Sequence, residues 1–393
     1  MARFIPVNFG LVLFSSALVG CESTSLFDTY LVKLDLPSDD VATFVEDLAE
    51  ELEFEPIHVY EEATQGFQVR LPIGLSEIIE DMDEVEYVVI DNPTELTPEP
   101  SEDAEEVEVG TDETPDGVAR IDGPADFIIT DLAVAVIDTG VDLDHPDLNV
   151  VASVDIVGES GGEDVDGDDL NGHGTHVAGT IGAIADADGV VGVAPGVEIH
   201  AVRVLDENGS GTFGDIISGL EYVLANPEIR VVNMSLGGAG SPNGTSPLKD
   251  AIEAVVDSGV VVVIAAGNET MDTKRFVPAG YDLGIVVSAY DADGDDNGFA
   301  WFSNYGDAVD VAAPGVNIAS TYMDGDYAAL SGTSMAAPHV AGAAASYLSL
   351  HDNATPEEVL EAILETAETN LTGETDDHPE PLLDLATLLD SSR

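Results

Sequence analysis

Two histidines three residues apart, His173 and His176, sit in the small-residue run "NGHGTHVAGT" at 171–180; the whole chain has eight. Three chemistries fit such a pair: a metal site, a buried polar pair, or a general base at a cleft. The metal reading is the weakest, because H-x-x-H lacks the glutamate of the usual zinc-protease spacing and no third ligand stands nearby in sequence. Other polar residues occupy comparable places. Asp138 closes the apolar run "LAVAVID", Asn268 closes "VVVIAAGN", and Ser334 opens a helical stretch in "ALSGTSMAAPHVAG". An aspartate ending a strand is as often structural as catalytic, and an asparagine there is usually a turn former. Ser334 is more pointed, because Gly332, Thr333, Ala336 and Ala337 leave room for an extended backbone, and a helix start favours developing negative charge. Together a carboxylate, an imidazole and a hydroxyl are the parts of a base-activated nucleophile.

The elements that must hold these residues follow from periodicity. From about residue 117, runs such as "LAVAVID", "RVVNMSLG" and "GVVVVIAAGN" alternate with helical stretches such as "GTHVAGTIGAIA", "TFGDIISGLEYVLA" and "PLKDAIEAVVDSG". Continuous Val/Ile runs joined by helices predict a parallel sheet covered on both faces, an α/β domain with its site at the carboxyl ends of the strands. Before it, residues 29–91 predict a compact α+β unit. "TYLVKLDL" alternates like a strand and "SDDVATFVEDLAEEL" reads as an acid-capped amphipathic helix from about Ser38. "FEPIHVYEE", "GFQVRLP", "LSEIIEDM" and "VEYVVIDN" complete a β-α-β-β-α-β order, the split βαβ (ferredoxin-like) arrangement. The stretch "NPTELTPEPSEDAEEVEVGTDETPD" at 92–116 is Pro-rich and acidic without apolar periodicity, which predicts a solvated linker. The chain closes with the helical "TPEEVLEAILETAE" and a short tail, leaving no room for a further domain.

Composition narrows the partners. The 78 Asp and Glu stand against 10 Lys and Arg, a formal net charge of −68. Nucleic acid and anionic membrane surfaces would repel such a chain. Carboxylates stay hydrated and their repulsion is screened in concentrated salt, so the composition predicts a halophilic protein. A single cysteine, Cys21, excludes an internal disulfide. It follows "RFIPVNFGLVLFSSALVG", whose short apolar stretch predicts an export signal, with Arg3 its only basic residue. The "LVGC" ending resembles a bacterial lipobox, which would make Cys21 a lipid-modified first residue; an ordinary signal peptide cleaved nearby is the alternative.

"VIDTGVDLDHPDL", "NGHGTHVAGT" and "GTSMAAPHVAG", in the order Asp…His…Ser, resemble the three active-site motifs of the subtilisin-like serine proteases (subtilases). The likeness covers most of residues 117–350. It implies a serine endopeptidase acting on proteins or peptides, with Asp138, His173 and Ser334 as the triad and Asn268 as oxyanion donor. Gly172 and Gly174 would give the His173 ring room, and His176 would face inward as a structural histidine. "GSG" at Gly209, Ser210 and Gly211 and "SLGG" at Ser235, Leu236, Gly237 and Gly238 resemble the two edges that hold an extended peptide as an added strand. Ala265, Ala266 and Gly267 would line the first specificity pocket.

The resemblance also orders the rest of the chain. Residues 1–21 would be a signal peptide, 22–28 a tether, 29–96 an inhibitory prodomain, 97–116 a linker carrying the processing site, and 117–393 the catalytic domain. The prodomain would act as an intramolecular inhibitor of a monomeric, exported enzyme. A lipid anchor would tie only the precursor to the cell envelope, and the mature domain would be released. "TPDGVARID" resembles the usual mature start, with Asp116 in place of the expected aromatic. The family's strong Ca2+ site implies Asp147 and, in "AIADADGVVGVAPG", Asp186 with the carbonyls of Ile184, Asp188 and Val190. Asp310, with carbonyls near Asp282, resembles a weaker site. The acidic loops "DVDGDD" at 164–169 and "DADGDD" at 291–296 lack a closing glutamate and are expected to be merely solvated. The rival readings are a catalytically inactive binding lipoprotein with the same fold, and a lipoprotein scaffold whose N-terminal unit is a stable binding module.

Overall fold

A computed structural model describes residues 27–72, 74–96, 104–107, 109–111, 113–127, 129, 132–159, 166–292, 297–373 and 380–390. The N-terminal unit runs β1 (Phe27–Leu34), α1 (Ser38–Leu52), β2 (Pro56–Tyr60), β3 (Gly66–Pro72), α2 (Leu75–Glu80) and β4 (Val85–Ile90). Its sheet has the order β2-β3-β1-β4 with every neighbouring pair antiparallel. The predicted element order is present, and β1 begins two residues inside the expected tether. The start of α1 differs from expectation in one detail. Pro37 occupies its N-cap, and the Ser38 hydroxyl donates to Glu62 (3.1 Å) instead of capping the helix.

The expected linker is not uniformly solvated. It contains two short strands, β5 (Pro93–Glu95) and β6 (Glu105–Glu106), each paired to the larger domain. Then follow α3 (Asp116–Arg120), β7 (Ala133–Asp138), β8 (Val150–Asp155), α4 (Ile156–Glu159), α5 (His173–Gly182) and β9 (Glu198–Arg203). Next come β10 (Ser210–Thr212), α6 (Phe213–Ala225), β11 (Ile229–Met234), β12 (Gly238–Ala239), α7 (Pro247–Asp257) and β13 (Val261–Ala265). The chain continues through β14 (Phe276–Val277), β15 (Ile285–Asp291), β16 (Gly298–Phe299), β17 (Val311–Pro314), β18 (Ile318–Thr321) and β19 (Tyr327–Leu330). It closes with α8 (Thr333–Leu350), α9 (Pro356–Thr366) and α10 (Leu385–Asp390), the last a helix in the tail that the periodicity did not suggest.

The central sheet is eight-stranded, in the order β16-β15-β13-β11-β7-β9-β8 with β17 beside β15. All its pairs are parallel except β15–β16. Alternate residues of β7 feed two cores: Val134 and Val136 pack with α5 and α8, while Ala133, Ala135 and Ile137 pack with α6 and α7. That division explains the continuous apolar runs, since a strand covered on both faces has no solvent side to make polar. Thr355 and Thr212 start their helices through capping boxes with Glu358 and Asp215.

The N-terminal unit lies on α6 and α7. Leu31, Tyr60 and Ala63 join the core around α6, whereas α1 packs on the opposite face of the small sheet with Tyr30, Val32, Phe67 and Val69. Glu221 of α6 accepts the backbone N–H groups of Glu61, Glu62 and Ala63 at 2.9, 2.9 and 2.7 Å. Asp91 accepts from the Gly214 N–H (3.1 Å) and from Gln68 (2.6 Å), and Tyr60 donates to the Gly214 carbonyl (3.0 Å). Burial pushes the Asp91 carboxyl up to about 6 against the opposing pull of Gln68 and Gly214.

One ion pair sits at the sheet's functional end. Arg203, fully buried and opposite Asp138 in the β7–β9 register, donates from Nη1 to both oxygens of Asp155 at 2.8 and 3.0 Å. Removing one member of a buried pair strands the other charge in a dry interior. Asp155→Ala is therefore expected to cost about 3–5 kcal/mol in denaturant unfolding. The apolar double replacement Asp155→Leu with Arg203→Met costs far less.

Candidate active site

Asp138 is the last residue of β7 and is fully buried. Its Oδ1 accepts from the Thr139 N–H (2.7 Å) and lies 2.8 Å from His173 Nδ1. A carboxylate at Nδ1 fixes that nitrogen as the protonated one and leaves Nε2 as the base. His173 is the first residue of α5, buried at the mouth of the helix. Helix α5 packs against α8, whose first turn carries Ser334. The Ser334 hydroxyl lies 3.4 Å from the Ser235 carbonyl oxygen, while the Ser235 hydroxyl donates to the Ser334 carbonyl (2.8 Å).

Asn268 follows β13, and its Oδ1 accepts from both the N–H (2.9 Å) and the hydroxyl (3.0 Å) of Thr333. Tying down the carbonyl end fixes which way the amide points and so where its donor end lies, the polarity an oxyanion site needs. Thr333 also accepts from the Gly267 N–H (3.0 Å), so the residue beside the serine orients both Asn268 and the chain before it.

The glycines flanking His173 have other reasons than room for the ring. Gly172 has φ of 103°, and a Cβ there would collide with the Tyr322 ring; a Cβ on Gly174 would run into the Gly140 carbonyl oxygen. His176 is fully buried, its Nε2 bonded to the carbonyls of Ile318 (2.8 Å) and Ala328 (3.2 Å). Burial pushes it down to about 3, so it is a neutral donor that ties α5 to the β18–β19 hairpin.

The edges expected to bind an extended chain are already engaged. β5 pairs antiparallel with β10: Glu95 lies opposite Ser210, Thr94 opposite Gly211 and Pro93 opposite Thr212. The Leu96 N–H donates to the Gly209 carbonyl (2.8 Å), and the Thr94 hydroxyl donates to the Gly237 carbonyl (3.2 Å) from the other side. Leu236 is buried beneath that edge, and Ala265, Ala266 and Gly267 continue from the end of β13.

The structure brings Asp147 to the 184–190 loop. Its oxygens accept the N–H groups of Ile184 (3.1 Å) and Val190 (2.9 Å), and Tyr327 donates to it at 3.2 Å. Burial pushes this carboxyl up to about 6, and nearby Asp186 adds to the rise. Asp310 accepts from the Val286 N–H (2.9 Å) and is likewise pushed up to about 6, by burial and then Asp282. Among the described residues no group of three or more His, Cys, Asp or Glu side chains is placed to hold a metal ion.

Three positioning residues escaped sequence reasoning. Asp169, expected in a solvated acidic loop, is buried and accepts five hydrogen bonds. They come from the Thr139 hydroxyl (2.9 Å), the N–H groups of Asn171, Gly172 and Thr175 (2.9, 2.9 and 3.0 Å), and the Thr175 hydroxyl (2.6 Å). It thus joins the end of β7 to the start of α5 and sets Asp138 against His173. Asn304 does the same behind Asn268, binding Glu269 and Met271 N–H groups and the Ala266 carbonyl. Tyr322 covers Gly172 and donates to the Asn171 carbonyl (3.1 Å). Only Asp169 left a trace in sequence, two residues before the histidine motif. Residues 164–165 and 293–296 of the two acidic loops lie outside the described residues.

The Peptidase_S8 model, described as the subtilase family, matches residues 130–380. The chain is 44% identical over 260 residues to subtilisin NAT of Bacillus subtilis subsp. natto, a match covering 64% of this chain and 66% of that protein. It is 38% identical over 359 residues to M-protease of Shouchella clausii (strain KSM-K16), covering 88% of this chain and 86% of that protein. A crystal structure of a cold adapted subtilisin-like serine proteinase superposes with a TM-score of 0.61 at 38% identity, over 68% of this chain and 97% of that one.

Replacing Asp169 by asparagine puts a donor where Thr175 also donates. The variant is expected to lose about tenfold or more in kcat with little change in KM, because small misplacements of a base are costly. A steady-state comparison with an unchanged pH profile and unchanged kcat would reject the positioning role. With its motifs, fold and relatives in agreement, the chain belongs to the subtilase family of serine endopeptidases.

Proposed function

We propose that this protein is an exported endopeptidase that hydrolyses peptide bonds through Asp138, His173 and Ser334 and is made as a self-processing precursor. The observation that carries the reading is the 2.8 Å bond between Asp138 and His173 Nδ1 at the start of the helix that packs beside Ser334's own. His173 Nε2 takes the proton from the Ser334 hydroxyl as its oxygen attacks the scissile carbonyl, and later gives it to the leaving amine. Asp138 holds the tautomer and stabilises the imidazolium. Asn268 and the Ser334 N–H bind the oxyanion; loss of one such donor typically costs about 10²–10³ in kcat in enzymes of this class. Substrate pairs as an extended strand between Gly209–Gly211 and Ser235–Gly237.

The N-terminal unit, residues 29–96, acts as the inhibitor of the same cleft. Supporting this, its tail at Pro93–Leu96 lies on the edges a substrate would use, and the match to M-protease is too long to be confined to the catalytic domain. Processing falls in the 97–116 segment, of which 97–103, 108 and 112 lie outside the described residues. The export signal and Cys21 also lie outside them; "LVGC" supports lipid anchoring of the precursor and a released mature domain. A structural calcium would be held by Asp147, Asp186 and the carbonyls of Ile184, Asp188 and Val190. The donors suit it: Asp147 is buried beside a second carboxylate, and oxygen ligands on an irregular loop match calcium's shell. Bound there, the ion supplies positive charge that ties the loop down. The acidic surface suits concentrated salt.

Ser334→Ala is expected to abolish peptidase activity and to leave the precursor uncut, read by intact mass and N-terminal sequencing. Efficient cutting of the linker by that purified variant alone would rule out self-processing. Calcium at low concentration is expected to raise the melting temperature by mass action. Asp147→Ala with Asp186→Ala removes that rise while leaving the response to sodium chloride, and a retained calcium response would reject the site.

A further inference from the structure

The contact between the two units has an unusual charge balance. Residues 27–96 carry 20 Asp and Glu against Lys33 and Arg70, a formal net of −18; residues 117–393 carry 48 against 7, a net of −41. Two strongly anionic bodies are pressed together. Their direct contacts contain little that offsets this. On the catalytic side the charged acceptors among the described contacts are Glu221, Asp250 and Asp215. Facing them are three main-chain N–H groups, the Tyr87 hydroxyl (3.0 Å to Asp250), His58 (3.7 Å from Asp215) and Lys33 (3.8 Å from Asp250). Asp91 adds a further buried carboxylate from the N-terminal side.

We propose that docking of the N-terminal unit on the catalytic domain is gated by ionic strength: concentrated salt holds the cleft shut and dilution opens it. This deepens, and rests on, the reading of that unit as the inhibitor of the cleft. The short-range contacts are hydrogen bonds from mostly neutral donors, which salt screens little. The long-range term is repulsion between bodies of like sign, which salt screens strongly. The Debye length is about 3 Å at 1 M and about 10 Å at 0.1 M, so on dilution the repulsion reaches well beyond the contact while the hydrogen bonds keep their strength. The sign is therefore the reverse of an interface built from opposite charges, which salt loosens. While the units remain one chain the opening is intramolecular, so a change in repulsion shifts a local equilibrium; after cleavage the same term governs release.

The test uses the full chain carrying Ser334→Ala, with calcium held constant. Hydrogen exchange is followed at the amides of Glu61, Glu62, Ala63 and Leu96, which report docking, and at those of β7, β11 and β13, which report the sheet. Lowering sodium chloride from about 1 M to about 0.05 M is expected to speed exchange at the docking amides at least about tenfold while the sheet amides stay protected. Four exposed carboxylates on α1, the face turned away from the contact, supply the second variant. Asp40→Lys, Glu46→Lys, Asp47→Lys and Glu50→Lys together shrink the salt response without touching a docking residue. Docking amides indifferent to salt, docking and sheet amides exchanging together, or a quadruple variant with the full response would each overturn the proposal. Peptidase activity of the Ser334 protein separates the two readings: opening without a gain in activity sinks the inhibitor reading and leaves the gating intact.

Discussion

Seven strands of the central sheet run in one direction, so all their carboxyl ends lie along a single edge. That shared polarity is what the rest of the molecule depends on. Asp138 ends β7, the chain after β8 passes through α4 and on to His173, and Gly209–Gly211 follow β9. Ser235–Gly237 follow β11, Asn268 follows β13, and the turn after β17 is bonded to Gly332 at the start of α8 (2.8 Å). Residues nearly two hundred positions apart become neighbours because a rigid, doubly covered sheet aligns the places where its strands stop. The loops need only supply reach and orientation.

Orientation here is supplied by carboxylates answered largely by backbone amides. Asp169 gathers five donors around the start of α5, and Glu221 gathers three from the turn between β2 and β3. With 10 Lys and Arg in the whole chain, a carboxylate taken into the interior cannot usually find a cation. Oriented N–H groups can substitute, because each is a fixed partial positive charge already in place and without the desolvation cost of an ammonium. Arg203 with Asp155 is the contrasting case, a full ion pair in the dry layer behind Asp138.

The same economy shapes the contact between the units. The tail at Pro93–Leu96 needs no charge to lie in the groove, because it bonds to the backbone of Gly209–Thr212 as an added strand. Farther out, α6 presents Glu221 and the N–H of Gly214 to the small sheet, so a helix serves as both acceptor and donor for its neighbour. Apolar burial of Leu31, Tyr60 and Ala63 completes the join.

Much of this was legible in the sequence. The three motifs name Asp138, His173 and Ser334 because their small neighbours and positions at element ends are local properties, and the alternation of Val/Ile runs with amphipathic stretches fixes the layers. The strands and helices at 133–138, 213–225, 247–257 and 356–366 fall where periodicity puts them. Other features could not be read. The glycines beside His173 answer to Tyr322 and Gly140, residues distant in the chain. The linker's strands exist only because β10 and β19 offer unpaired edges, and an isolated acidic segment carries no sign of that. Asn304 looks like any surface polar residue until the fold closes over it, and Asp169's place just before the histidine motif does not by itself say that it is buried. Which residue types stand at the ends of strands and at helix starts could be read from the chain alone, since that depends on side-chain type and local spacing. Which groups orient them emerged only in the folded molecule, because hydrogen-bond partners are set by which backbone amides the packed sheet and helices bring within reach.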